Sequence, residues 1–191
     1  MSKEEIEAYA EAIRLRGFNL IRVHYPDGSL TGKNGYPKAP VALGSVPLPR
    51  RMEDLPIDKT FEDRWDYFVA CLRKRNIYLF PDIVSARTAW TAATVDFDFK
   101  TGMLFREDYR DNWRAGFHYM MKHVNAYTGT RMLDDPMVVG LTLLNEQDNQ
   151  KNYWGELNPQ WKKYYLSVHP GSTPPDLNAS LLEKSQEARS W

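Results

Sequence analysis

Met137-Val138-Val139-Gly140-Leu141-Thr142-Leu143-Leu144-Asn145-Glu146 is the stretch on which the fold turns. A nearly unbroken apolar run ends in an amide and a carboxyl side by side. A run of this length without alternation reads as a β-strand with both faces covered, as in a parallel sheet flanked by helices. The residues before it agree. Trp113, Phe117, Met120 and Val124 recur at steps of four, three and four, which predicts a helix over 105–124. A turn-rich connection over 125–136 joins that helix to the strand.

The same order occurs twice upstream. Phe61, Trp65, Phe68 and Leu72 form an apolar stripe, with Thr60 as predicted N-cap and Arg73-Lys74-Arg75 at the negative end. The strand Ile77 to Phe80 follows, stopped by Pro81-Asp82. Earlier still, Ser2-Lys3-Glu4-Glu5 reads as a capping box for a helix carrying Ile6, Ala10 and Ile13. Gly17 ends that helix as a left-handed cap, and residues 18–23 form a strand. The tail adds two short amphipathic segments, 159–166 and 177–188, separated by Pro170-Gly171-Ser172-Thr173-Pro174-Pro175.

Three helix–strand units in series imply an α/β domain of parallel strands with crossover helices. Two of the helix-to-strand links are minimal, Arg16-Gly17 and Arg75-Asn76, whereas the first two strand-to-helix links are long, and long loops are usually functional. They gather beyond the strand C-termini, the face that carries the active site in (β/α) barrels. A doubly wound sheet also binds ligands there, but it needs a glycine-rich turn directly after a strand to cradle phosphate, and these loops offer none.

Composition narrows the function. The 191 residues suffice for one domain. With 25 Lys+Arg against 25 Asp+Glu, there is no electrostatic reason to bind nucleic acid or an anionic membrane. The lone Cys71 excludes an intramolecular disulfide and a cysteine-based zinc site. No apolar stretch approaches the roughly 20 residues of a membrane span. The acidic, helical start shows no signal-peptide pattern. The 13% aromatic content suits a neutral polar ligand.

Candidate site residues sit at the strand ends. Glu146, leaving an apolar strand, is partly desolvated, which raises a carboxyl pKa as a general acid requires. Asn145 beside it can donate to a substrate hydroxyl; the plainer reading is a strand-end pair that starts a loop. Arg22, inside an apolar strand, is costly unless paired, either with a site carboxylate or with a partner that merely holds layers together. His24 faces a sugar or a catalytic carboxylate, or is satisfied by backbone. Asp82 contacts substrate or caps the turn after Pro81. Trp90 and Trp154 follow strands, where an indole face can stack on a pyranose, whereas Trp65 and Trp113 belong to core stripes. Asp96 and Asp98 alternate with aromatics and lack a third metal ligand. His118 and His123, five apart on a helix, are no one-face ligand pair and read as surface or helix-end residues. No metal or cofactor is called for.

Several passages resemble the clan A glycoside hydrolases, especially the cellulase-like glycoside hydrolase family 5 group. They are Gly17-Phe18-Asn19-Leu20-Ile21-Arg22-Val23-His24, the unit from Asp63-Arg64-Trp65-Asp66-Tyr67-Phe68 to Arg75-Asn76-Ile77-Tyr78-Leu79, and Val124-Asn125-Ala126-Tyr127-Thr128-Gly129 through Asp134-Asp135-Pro136 to Leu144-Asn145-Glu146. The likeness covers about residues 5–148. It implies a partial TIM (β/α)8 barrel running from helix one to strand four, with Glu146 as acid/base, Asn145 bound to the sugar 2-hydroxyl and Arg22 beside the nucleophile. It implies residues 1–150 as the barrel portion and 151–191 as a loop and helical tail of the same domain.

The departures shape the expectation. No strand precedes Ser2, and the family's nucleophile glutamate on strand seven has no counterpart, since Glu156, Glu183 and Glu187 follow no apolar strand. A barrel typically needs about 250 residues. The expected protein is therefore a portion of a retaining glycosidase acting on β-linked poly- or oligosaccharide, inactive as an isolated chain. It would be exported to the periplasm or cell exterior if a leader lies upstream. The alternative is a non-catalytic carbohydrate-binding or assembly module built on a half-barrel. Open strand edges near 18–23 and 137–144 favour self-association. Asn178-Ala179-Ser180 fits a glycosylation acceptor, a triplet common by chance.

Overall fold

The computed structural model describes residues 1–24, 26–31, 48–84, 90–91, 99–103, 106–145 and 154–175, without the side chains of 101, 154–158, 160 and 161. Helix α1 (Lys3–Leu15) opens on the capping box. The Glu5 N–H donates to Ser2 Oγ at 3.2 Å and the Ser2 N–H donates to the Glu5 carboxylate at 2.6 Å. Ile6, Ala10 and Ile13 are buried along one side. Gly17 then turns the chain at φ +79°, a conformation that costs glycine little. Strand β1 (Leu20–Val23) and the short helix α2 (Pro26–Leu30) follow.

Helix α3 (Lys59–Lys74) carries Trp65, Val69 and Leu72 into the core. Its N-cap is Asp58 and not Thr60: the Asp58 carboxylate accepts from the N–H groups of Thr60 and Phe61 at 2.9 and 3.1 Å. The carboxylate also brings a negative charge to the positive end of the helix, which a neutral threonine hydroxyl does not. Asn76, at φ +54°, leads into strand β2 (Tyr78–Pro81). Helices α4 (Phe99–Gly102), α5 (Glu107–Lys122) and α6 (Trp154–Val168) complete the described elements, with short 3-10 turns at Met52–Asp54 and Met132–Asp134. The expected segment 159–166 lies within α6, with Pro159 inside the helix. The expected segment 177–188 and the Asn178 triplet lie outside the described residues.

Strands β1 and β2 are parallel, in register from Leu20 opposite Tyr78 to Val23 opposite Pro81. Residues 138–142 run parallel along the other side of β2, joined where Leu79 meets Val138 and Asp82 meets Thr142. Three steps along β2 are matched by four along 138–142, so the third segment carries one extra residue, a bulge. The Phe80 ring lies over Gly140, where a Cβ would come within 2.7 Å of the ring. The stretch expected as a regular strand covered on both faces is thus irregular and half-exposed, with Val139 54% and Leu143 49% exposed.

Period-two alternation separates the two faces of this sheet. Ile21, Val23 and Leu79 pack with the helices. Leu20, Tyr78, Arg22 and Phe80 share the opposite face, where Leu20 and Tyr78 remain exposed. Among the described residues no helix is long and apolar enough to cross a membrane.

Candidate active site

Parallel strands send their C-termini to one end, and four of the sequence-predicted site residues meet there. Arg22 is opposite Phe80, so alternation brings its side chain to the same face as Asp82. Arg22 Nε donates to Asp82 Oδ1 at 3.0 Å and Nη2 lies 3.5 Å from Oδ2. The same Nη2 donates to Asn145 Oδ1 at 2.7 Å. His24 Nδ1 sits 2.6 Å from Asp82 Oδ2. The third segment is held in place by its backbone, the Asn145 N–H donating to the Val84 carbonyl at 2.9 Å.

Burial decides the roles. Asp82 is 0% exposed, and a buried carboxylate is costly unless paired. Arg22 and His24 supply that pairing. Asp82 therefore orients these two side chains and does not present its oxygens to a ligand, which corrects the expectation of direct substrate contact. The Arg22 side chain keeps 44% of its surface exposed, so one guanidinium is both fixed and accessible. Asn145 is buried, its carbonyl oxygen taken by Arg22, and among the described residues nothing accepts from its Nδ2 amide. That amide is available as a donor.

Lys100 is a member that sequence reasoning missed. It is buried on α4, and its ammonium donates to the backbone carbonyl of Asn145. Its only sequence signal is a basic residue in the aromatic run Phe97-Asp98-Phe99-Lys100. The site thus combines two cations and a buried carboxylate around an asparagine. Such an arrangement can orient neutral hydroxyls by charge-assisted hydrogen bonds.

No protein-family model, curated protein or solved structure matches the chain.

The remaining predicted residues do not join this cluster. Glu146, next in the chain after Asn145, lies outside the described residues, as do Asp96 and Asp98. Trp154 begins α6, and its side chain lies outside the described residues. Trp90 is 0% exposed. Its indole lies against Gly116 of α5 and 6.0 Å from the Tyr119 ring, while the Trp90 backbone N–H donates to Asn112 Oδ1 at 2.7 Å. It is a core residue and offers no face to a sugar; a glycine on α5 lets the indole approach the helix backbone. Among the described residues no three His, Cys, Asp or Glu side chains converge for a metal.

His118 is exposed, whereas His123, at the C-cap of α5, joins a second polar cluster. Its Nε2 lies 2.9 Å from both oxygens of Asp66 on α3, and Glu62 is 3.7 Å from its other nitrogen. The hydrogen bond with Asp66 raises the His123 pKa above the ordinary value, outweighing burial, which lowers it. Asp66 also accepts from the Ala126 N–H, so the cluster ties α3, α5 and the following turn together.

Proposed function

We propose that this chain is the N-terminal-to-central portion of a (β/α)8-barrel retaining glycoside hydrolase acting on β-linked poly- or oligosaccharide. The observation that carries the proposal is one guanidinium, Arg22, bonded both to the buried Asp82 and to Asn145, the residue directly before Glu146. In this reading Glu146 protonates the departing glycosidic oxygen and later deprotonates the water that releases the glycosyl-enzyme. The Asn145 Nδ2 amide holds the 2-hydroxyl of the sugar, Arg22 supplies a fixed positive charge beside the reacting centre, and His24 borders the same space. The nucleophile carboxylate belongs to a part of the barrel outside this chain.

A test that needs no turnover uses a glyco-imidazole, whose ring nitrogen occupies the position of the glycosidic oxygen and accepts a proton from the acid catalyst. Titration of the chain with a β-1,4-linked cellobio-imidazole by calorimetry should give saturable binding whose pH dependence disappears in Glu146→Gln. Binding that Glu146→Gln leaves unchanged at every pH supports a non-catalytic carbohydrate-binding module instead. An absence of saturable binding rejects both.

A further inference from the structure

Asn145 is held at three points, each from a different part of the fold. Its N–H donates to the Val84 carbonyl at 2.9 Å, its Oδ1 accepts from Arg22 of β1 at 2.7 Å, and its backbone carbonyl accepts from the Lys100 ammonium of α4. The three bonds are not equivalent. With the peptide planar, each residue keeps two soft backbone dihedrals. The bonds to Val84 and Arg22 fix the N–H and the side chain of Asn145, and both are indifferent to its ψ. The bond from Lys100 sets ψ, because rotation about Cα–C swings the carbonyl. That carbonyl shares its plane with the N and Cα atoms of the next residue, so the lysine sets the direction in which the chain leaves Asn145.

Lys100 is built for this task. It is buried, and a buried ammonium is costly unless it is hydrogen-bonded. A position that needed only volume is filled by a methionine of the same reach without that cost. The backbone from which the lysine reaches is itself anchored on α5. Phe99, wholly buried, has its ring 5.3 Å from that of Tyr109, and the Met103 carbonyl, just past α4, accepts from Arg110 Nη1 at 2.9 Å. The lysine thus carries the rigidity of α5 to the carbonyl at the end of the third segment.

We propose that Lys100 is a positioning residue for the Glu146 carboxyl, acting through the Asn145–Glu146 peptide bond. The inference rests on the assignment of Glu146 as acid/base, and it gives Lys100 no contact with substrate.

The test compares the parent chain with Lys100→Met, Glu146→Gln and the double variant, titrated with the cellobio-imidazole. Lys100→Met should weaken binding about tenfold at the pH where the parent binds most tightly. In the Glu146→Gln background it should weaken binding no further, because the group it positions is gone. Lys100→Arg, which keeps a cationic donor, should recover part of the loss. Equal losses in the two backgrounds mean a merely structural lysine and overturn the proposal, as does unchanged affinity in Lys100→Met. Failure of the acid/base assignment looks different: the parent chain does not bind the imidazole, or binds it independently of Glu146. The positioning role is then read without ligand, from the carbon-13 titration of the Glu146 carboxyl. Its midpoint should move upward in Lys100→Met, since a neighbouring cation is lost, and an unmoved midpoint overturns the proposal. If circular dichroism shows that Lys100→Met does not fold, the parent chain decides. A correlation across the hydrogen bond between the Lys100 ammonium nitrogen and the Asn145 carbonyl carbon supports the assignment, and an ammonium exchanging with water as fast as exposed lysines contradicts it.

Discussion

Arg22 ties Asp82 and Asn145 together through one side chain. Its guanidinium holds a carboxylate that is itself wholly buried, so the two groups stabilise unequally: Asp82 depends on Arg22 more than Arg22, which is 44% exposed, depends on Asp82. Arg22→Ala should lower the stability by about 1–3 kcal/mol, the cost of leaving a buried acceptor under-satisfied, as read from urea midpoints. Arg22→Lys should recover only part of this, because an ammonium cannot reproduce the two-pronged contact with Asp82 and Asn145. Asp82→Asn combined with Arg22→Ala should be less destabilised than Arg22→Ala alone, since the buried charge is then gone. At this scale much of the site was legible. An arginine in an apolar strand announces a partner, found in Asp82, and of the polar pair at the strand end Asn145 joins the cluster while Glu146 lies outside the described residues. Trp90 was not legible as core. An indole after a strand looks alike in either role, and only the bare backbone of Gly116 across the packing interface decides which.

Between elements, the links are caps and charge clusters. The Asp58 carboxylate caps α3, so Asp58→Ala should cost about 1 kcal/mol of stability while Thr60→Ala costs little. A thermal melt of the two variants checks this, and equal losses would contradict the assignment. The cluster that locks α3 to α5 is titratable. His123 meets Asp66 and Glu62 from α3, with Lys59 of the same helix opposing and the Tyr119 ring stacked on the imidazole. Because the folded-state pKa of His123 is raised, the folded chain binds this proton more tightly than the unfolded chain. The stabilisation is complete below the ordinary histidine value of about 6.5 and is lost as pH rises through the folded-state value. Urea midpoints should therefore decline over that window in the parent chain, and His123→Gln should flatten that part of the profile. Spacing along α5 revealed nothing of this cluster, since its partners stand some 57 residues earlier in the chain.

Across the whole molecule, the parallel arrangement determines which backbone is protected. β2 is bonded on both sides, to β1 and to residues 138–142, whereas β1 has one partner among the described residues. Native-state hydrogen exchange should find the Tyr78, Leu79 and Asp82 amides among the slowest and those of Leu20 and Arg22 fast; uniform protection across β1 would mean that its outer edge is covered. The amino-acid order alone determined the alternation of helices and strands, the capping box of α1, the left-handed turn at Gly17 and the strand-end polar residues. Each of these follows from local spacing, propensity or burial cost. Tertiary structure decided what spacing cannot encode. It put a bulge into the apolar run over 137–144, where the Phe80 ring lies over Gly140. It buried Asp82 and Trp90 and brought Lys100 beneath Asn145. The physical reason is the same in each case: these outcomes depend on which surfaces meet across the sheet, and residues far apart in the chain supply those surfaces.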